Sequence, residues 1–468
     1  MDPNTSVDRE RGLHKALSKA QITMIGLGGA IGTGLFTGSG IAISYSGPGV
    51  LLSYVIAGCV AAAMVFSLSE MAVVHPTAGS FGTYAEMYLN PWAGFMVRYT
   101  YWFAQVIAIA GEATAVGVYM AWWFPGVPVW IWSVGFAFTL VYINTRPVTN
   151  FGNIEYWLTV IKVSAIVIFV ILGGAHILGI GVAPVGMRNL TGLEGGFLPF
   201  GLGGVWMGVV VALYAFVGIE VIAVTAGEAE DVRTAIPAAL RTMAVRLFLF
   251  YVLAVGVMVA LVPWTEAGAK TITESPFVRV FSQFGIPYAA GIMNFVVLSA
   301  ALSSMNTNLY LTSRMLFSLS RGNYAPGFLG RLGESGTPGA AAWVSGSFIL
   351  ILAALSKLTP LAYNYLFGIA LFGALVVWIT ILLCHLQFRA RWKVEDLPVR
   401  MPFFPYVQIG ALLMLAAILI TMGLDNDFWN ISWIVGVPWL LLVTLAYFIW
   451  KPRRALVLEL EANAGGSE

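Results

Sequence analysis

The stretch Ile25-Gly26-Leu27-Gly28-Gly29-Ala30-Ile31-Gly32-Thr33-Gly34-Leu35 puts five glycines into nine residues of an apolar run. Each glycine costs a helix about 1 kcal/mol relative to alanine, so this segment does not make a sturdy helix. A dinucleotide-binding turn is also glycine-rich. Here, however, no strand precedes the run, no βαβ unit surrounds it and no acidic residue follows at about 20 positions. Two roles remain. Gly28/Gly32 and Gly34/Gly38 form G-x-x-x-G pairs, which allow close packing of membrane helices. An unwound segment, by contrast, frees N–H groups that can hold a carboxylate at a half-helix N-terminus. Packing needs glycine on one face only, and these fall all round the helix, which favours unwinding.

The run sits in a chain of 468 residues that is 59% hydrophobic and 10% charged, with a mean hydropathy of +0.85. Soluble domains carry about 25% charged residues, so most of this chain belongs away from water. Soluble-enzyme and disordered classes are excluded. The net charge of +2 does not point to nucleic acid. Cys59 and Cys384 lie in apolar runs and offer neither a disulfide framework nor metal-ligand spacing. The histidines 14, 75, 176 and 385 are scattered and resemble no metal site.

Apolar runs recur at 20–44, 48–73, 93–121, 128–144, 152–175, 200–224, 238–262, 284–312, 340–357, 362–386, 404–424 and 431–450. Lipid leaves backbone groups no partner outside helices and closed barrels. Barrel strands alternate in polarity, and Ile161–Leu172 does not. Twelve transmembrane helices are therefore expected in an all-α integral membrane fold. Basic residues set the orientation. With the N-terminus inside, Arg9, Arg11, Lys15, Lys19, Arg98, Arg146, Arg233, Arg241, Arg246, Arg314, Arg321, Arg331, Arg389, Arg391, Lys393, Arg400, Lys451, Arg453 and Arg454 are cytosolic. Only Arg188, Lys270, Arg279 and Lys357 fall outside, and Lys162 lies within a span. This skew predicts twelve spans with both ends cytosolic, in the cell membrane. No secretory signal is read at the basic start.

A second irregular span reads Tyr214-Ala215-Phe216-Val217-Gly218-Ile219-Glu220. Interrupted helices opening each half of a five-plus-five array point to an inverted-repeat transporter. The expected organisation is a tail at 1–19, a first repeat of spans 1–5 at 20–175, a second of spans 6–10 at 200–386, two C-terminal spans at 404–450 and a tail at 451–468. No strong residue-level repeat links the halves, so the symmetry rests on span order.

At these two segments the chain resembles the amino acid–polyamine–organocation superfamily, in its bacterial-type amino acid permease branch. Gly28-Gly29-Ala30-Ile31-Gly32-Thr33-Gly34-Leu35-Phe36 resembles the first-span signature, and Phe216-Val217-Gly218-Ile219-Glu220 the sixth. Gly227-Glu228-Ala229-Glu230-Asp231-Val232-Arg233-Thr234-Ala235-Ile236-Pro237 is similar to its cytosolic loop, with Val232 where the family commonly has proline. Pro76–Tyr84, Ser304–Asn308 and Ser313–Phe317 match further motifs, and similarity covers about residues 13–450. The resemblance implies a LeuT-like fold and a pose. The substrate α-carboxylate would sit on the amides around Gly32, Thr33 and Gly34. The α-ammonium would meet carbonyls near Ala30 and from Tyr214 through Phe216 to Val217, beside Ile31 and Gly218. Tyr214 aligns with a gating aromatic. In proton-coupled relatives a lysine on the fifth span occupies the ion position of sodium-coupled members, and here Lys162 matches it.

The charged residues carry further alternatives. Lys162 lies about 15 Å into span 5 at 1.5 Å per residue, where full snorkelling is difficult. It either exchanges the coupled proton or serves as a constant internal charge. Glu112 lies in span 3 and lines the pocket or pairs with an internal cation. Glu220 hydrogen-bonds freed amides or joins a gate. Glu70, near the cytosolic end of span 2, is a gate, a loop anchor or simply solvated. Ser303, Ser304, Asn306 and Asn308 either bond between helices or line the ion region. His75 reads as structural, and the acidic loop 226–237 as solvated.

These features predict a proton-coupled amino acid importer working by alternating access, with no cofactor beyond the proton gradient and no chemical step. Its partners are an amino acid, H⁺ and membrane lipid. An exchanger of the same fold and a non-transporting sensor are the rivals. The substrate side chain and oligomeric state stay open, with a tilt toward a neutral amino acid.

Overall fold

The computed structural model describes residues 13, 15–180, 183–268, 275–283, 288–334, 336–354, 357–359, 361–393, 395, 397, 400–425 and 428–465. Arg9, Arg11, His14 and Lys270 lie outside these residues, as do the side chains of Arg233, Pro237, Arg241, Arg246, Arg453 and Arg454. Among the described residues the chain is helical, and its one extended pairing is an isolated bridge between Leu17 and Ala229.

The first helices, α1 (Lys19–Ala30), α2 (Thr33–Phe36) and α3 (Gly38–Ser46), follow one another through the glycine run. Then come α4 (Val50–Val74), α5 (Ser80–Tyr88), α6 (Pro91–Ala121), α7 (Val129–Asn144) and α8 (Val148–Leu178). The next are α9 (Arg188–Thr191), α10 (Gly201–Tyr214), α11 (Val221–Thr225) and α12 (Val232–Leu261). The series ends with α13 (Trp264–Ala267), α14 (Pro276–Gln283), α15 (Ala289–Arg321), α16 (Gly339–Ala354), α17 (Ala362–Arg391), α18 (Tyr406–Leu424) and α19 (Ile431–Gly465).

Local chemistry explains the boundaries. Ser18 and Gln21 form a reciprocal capping box at the start of α1. Asn90 caps α6, with Pro91 in its first turn. Gly179 ends α8 in the left-handed conformation at φ 77°.

Seven helices among the described residues are long and apolar enough to cross a membrane: Gly38–Val74, Pro91–Ala121, Val148–Leu178, Ala289–Arg321, Ala362–Arg391, Tyr406–Leu424 and Ile431–Lys451. Shorter apolar helices are Val129–Asn144, Gly201–Tyr214, Phe250–Leu261 and Gly339–Ala354. Their surroundings differ. The most apolar part of α6 is 89% buried, whereas that of Ile431–Lys451 is 22% buried. Thus α6, with α15 and α17 packed on it, forms the centre, and α18 and α19 lie outside. Leu413, Ile420, Leu441 and Leu445 project outward from these outer helices. A surface this apolar is incompatible with water and suits lipid. The chain is a multi-pass membrane protein.

The structure departs from the sequence expectation in three places. First, the stretch after Pro76, which falls between the expected spans 48–73 and 93–121, carries a buried helix, α5. Its Glu86 meets Arg98 at 3.2 Å, and Arg98 is buried. Second, α15 runs nine residues beyond the expected end at 312. Third, Glu228 is buried, where the acidic loop was expected to be solvated. Arg314 donates to it through Nε at 2.8 Å and Nη2 at 3.2 Å, and Tyr310 donates at 2.8 Å. The pairing arises because α15 brings Arg314 under the loop, a contact across 86 residues of sequence.

Candidate functional site

Helix α1 stops at Ala30. Ile31 leaves helical geometry at φ −84°, ψ 83°, Gly32 is extended, and the chain restarts as α2 at Thr33. The first amides of α2 lack intrahelical acceptors by construction. A second interruption separates α10, ending at Tyr214, from α11, starting at Val221. It turns at Gly218, whose φ of 105° suits only glycine and whose Cβ would sit 2.5 Å from Gly29 O. The two interruptions thus meet at backbone level. Gly34 repeats the close approach: its Cβ would lie 2.8 Å from Ala215 Cα.

Tyr251 on α12 ties the two segments together. Its hydroxyl lies 2.7 Å from both Ala30 O and Ala215 O and donates to either. Two carbonyls in the region expected to receive an ammonium therefore already have a partner. The ring also packs on Phe216 at 4.8 Å.

A small polar cavity opens beside the interruptions. Of the residues singled out in the sequence, Ala30, Gly32, Gly34, Glu112, Tyr214, Val217, Ser304 and Asn308 line it. Gln105 and Ala108 complete the lining. The wall at Gly32 is tight, since a Cβ there would lie 2.7 Å from Ser304 Oγ and 2.9 Å from Glu112 Oε1. Thr33 sits behind it, its hydroxyl donating to Glu112 Oε1 at 3.5 Å. Tyr214 packs against Phe367 in a tilted pair with ring centroids 3.9 Å apart. Ile31, Phe216 and Gly218 shape the backbone and do not line the cavity. Buried oxygens without a donor among the described residues include Glu112 Oε2, Gln105 Oε1 and Asn308 Oδ1.

On the opposite side of α1 lies a charged cluster. Lys162, on α8, is fully buried. Its ammonium donates to Gly28 O at 2.6 Å, Ile31 O at 2.9 Å and Ser303 Oγ at 2.7 Å. Three donors meet three acceptors, so the group is saturated. Glu155 Oε1 stands 4.0 Å from Nζ. Ser303 donates to the same oxygen, and Asn306 Nδ2 donates to Oε2 at 3.3 Å. Asn144 in turn holds Asn306 at 2.8 Å. Gly28 is small for a reason: its Cβ would collide with the Glu155 carboxylate and the Thr159 hydroxyl.

The remaining carboxylates have defined partners. Glu220 accepts from Tyr101 at 2.9 Å, from the Gly218 amide at 3.1 Å and from Gln105 at 3.5 Å. It therefore satisfies an amide freed by the interruption. Glu70 is fully buried, not solvated. His385 lies 2.7 Å from it, Arg389 stands 3.6 Å away, and the Met401 amide donates to it, which anchors the segment before α18. His75 Nε2 lies 2.7 Å from Tyr88 Oη. No group of three potential metal ligands forms among the described residues.

Three contributors escaped sequence inspection. Glu155 was not singled out, although Glu155, Thr159 and Lys162 at i, i+4 and i+7 share one helix face; that spacing was the available signal. Gln105 gave only a lone amide in an apolar helix. Tyr251 gave no signal, being one of 18 tyrosines.

The family model described as "Amino acid permease" matches residues 21–459. A Bacillus subtilis (strain 168) protein named uncharacterized amino acid permease YtnA is 39% identical over 443 residues, covering 93% of this chain and 95% of its own. The gamma-aminobutyric acid permease of the same organism is 38% identical over 452 residues, covering 95% of each chain. The aromatic amino acid transport protein AroP of Salmonella typhimurium (strain SL1344) is 36% identical over 439 residues, covering 93% of this chain and 95% of its own. With this match over nearly its whole length, the chain belongs to the amino acid permease family, a family of membrane transporters and not of enzymes.

Proposed function

We propose that this permease imports an amino acid by proton symport, through alternating access, across the cell membrane. The observation that carries it is the Lys162 ammonium bonded to Gly28 O and Ile31 O, which flank the end of α1 beside the cavity. A change in the charge of Lys162 alters the backbone on which the substrate site is built. The relatives' names span γ-aminobutyrate and aromatic substrates, so the shared chemistry is the carboxylate and ammonium, and the side chain varies.

The substrate carboxylate sits at the amides around Gly32 to Gly34, at the positive end of a short helix. The ammonium lies toward the carbonyls of Tyr214–Val217. Ser303 holds Lys162, and Glu220 and Tyr214 take part in gating. Twelve spans are arranged as 20–175 and 200–386, related as inverted five-span repeats, followed by 404–450. The first and sixth spans are interrupted at 31–32 and 215–220, and both tails face the cytosol. One broken helix supplies a positive end and the other a negative end, which is what a zwitterion needs. No cofactor takes part.

Purified protein in liposomes tests this. With an inward proton gradient, no sodium and an empty lumen, a labelled amino acid accumulates above its external concentration. Uptake only after internal loading with amino acid would make the protein an exchanger and end the symport proposal.

A further inference from the structure

We infer that Gln105 and Asn308 select substrates by side-chain chemistry: their carbonyl oxygens favour an amino acid whose short side chain ends in an N–H or O–H donor over an apolar one of equal size. This rests on the cavity being the amino acid site proposed above.

Both residues line that cavity, from α6 and α15 respectively. Gln105 is 1% exposed and Asn308 4%. The orientation of Gln105 follows from its neighbour. Its Nε2 faces the Glu220 carboxylate at 3.5 Å, and a carboxylate accepts. The amide N–H group is therefore turned to Glu220, and Oε1 is left without a donor. Asn308 is placed the same way. Its Nδ2 donates to Ser304 Oγ at 3.4 Å. With the amide N–H group on the Ser304 oxygen, Oδ1 is left without a donor. Two buried acceptors, one on α6 and one on α15, thus line the cavity without a donor.

A buried acceptor without a donor is unfavourable. A side-chain amide, hydroxyl or ammonium supplies the missing proton. An aliphatic side chain of the same shape excludes water and leaves both oxygens unpaired, the situation in which sites discriminate most sharply. Tyr214, backed by Phe367, lines the cavity, and the wall at Gly32 is tight, which favours short side chains.

The test is competition with uptake of labelled alanine in proteoliposomes containing the full chain. Near-isosteric pairs without a charged side chain isolate the donor: asparagine against leucine, and threonine against valine. In the unaltered protein the donor-bearing member is expected to compete about tenfold more strongly in each pair. In Gln105→Met and Asn308→Leu the asparagine-to-leucine ratio should fall to within about threefold. Asn308→Leu leaves the Glu220 contacts in place, so it reads selectivity even if Gln105→Met disturbs folding. Equal or stronger competition by leucine and valine in the unaltered protein overturns the inference, as does an unchanged ratio in both variants. Alanine uptake with no preference removes this inference alone. Failure of every amino acid to be carried or to compete removes the amino acid proposal and this inference together.

Discussion

Lys162 and Glu155 face each other at 4.0 Å, two turns apart on one helix, with the Ser303 hydroxyl bonded to both. Neither is exposed. A buried lysine bonded to two carbonyls that flank a helix end cannot change its charge without changing what those carbonyls do.

Lys162→Gln should uncouple uptake from protons. For one proton per substrate, each unit of inward pH gradient supports about tenfold accumulation, since one unit is about 1.4 kcal/mol. The variant should equilibrate substrate at best, with no response to the gradient. Full proton-driven accumulation in the variant would remove Lys162 from the coupling step.

Glu155→Leu should leave the Lys162 cation buried without its counter-charge. Breaking a buried pair from one side costs about 3–5 kcal/mol. Adding Lys162→Met should recover most of that loss. Unfolding of the purified variants in detergent measures it. Additive losses with no recovery would show that the two charges do not act as a pair.

Gly218→Ala should damage both fold and uptake. Its φ of 105° strains any side chain, and Gly29 O occupies the Cβ position. The backbone cost alone is about 1–3 kcal/mol. Gly135→Ala is the contrast: it has open space around it and lies within α7. It should be neutral or slightly stabilising. Thermal unfolding and uptake of the two variants, compared side by side, check this.

Arg314→Ala should loosen the segment that Glu228 anchors. The Leu17 amide donates to Glu228 O at 3.1 Å, and the Glu230 amide donates to Leu17 O at 3.2 Å. Hydrogen exchange at these two amides should speed up by about tenfold or more, because an unpaired buried Glu228 costs at least about 1–3 kcal/mol. Unchanged protection would place the anchor elsewhere.

His75 lies just beyond α4, and burial pushes its imidazole down to about 4. The unfolded value is about 6.5, so the unfolded state binds the proton more readily. Stability from this group is complete above about 6.5 and is lost as pH falls toward 4, by on the order of 1 kcal/mol between pH 7 and 5 after allowance for partial solvent access. His75→Gln should lose less stability than the unaltered protein over that interval. Matching pH profiles of melting temperature would assign the loss to other groups.

What the amino-acid sequence determined by itself was local. Glycine density between 26 and 34 marked the place where α1 ends, because backbone propensity is a property of neighbouring residues. Apolar run lengths marked the long helices, and the depth of Lys162 in its run marked it as a charge needing partners. Tertiary structure decided who those partners are. Glu155 and Lys162 share a helix face, but Ser303, Gly28 and Ile31 arrive from 131 to 141 residues away. Glu228 looked like a solvent-facing acid until α15 brought Arg314 beneath it. Gln105 looked like an isolated amide until Glu220 set which end faces the cavity. Buried polar atoms must find partners, and sequence states that need without stating which distant helix meets it.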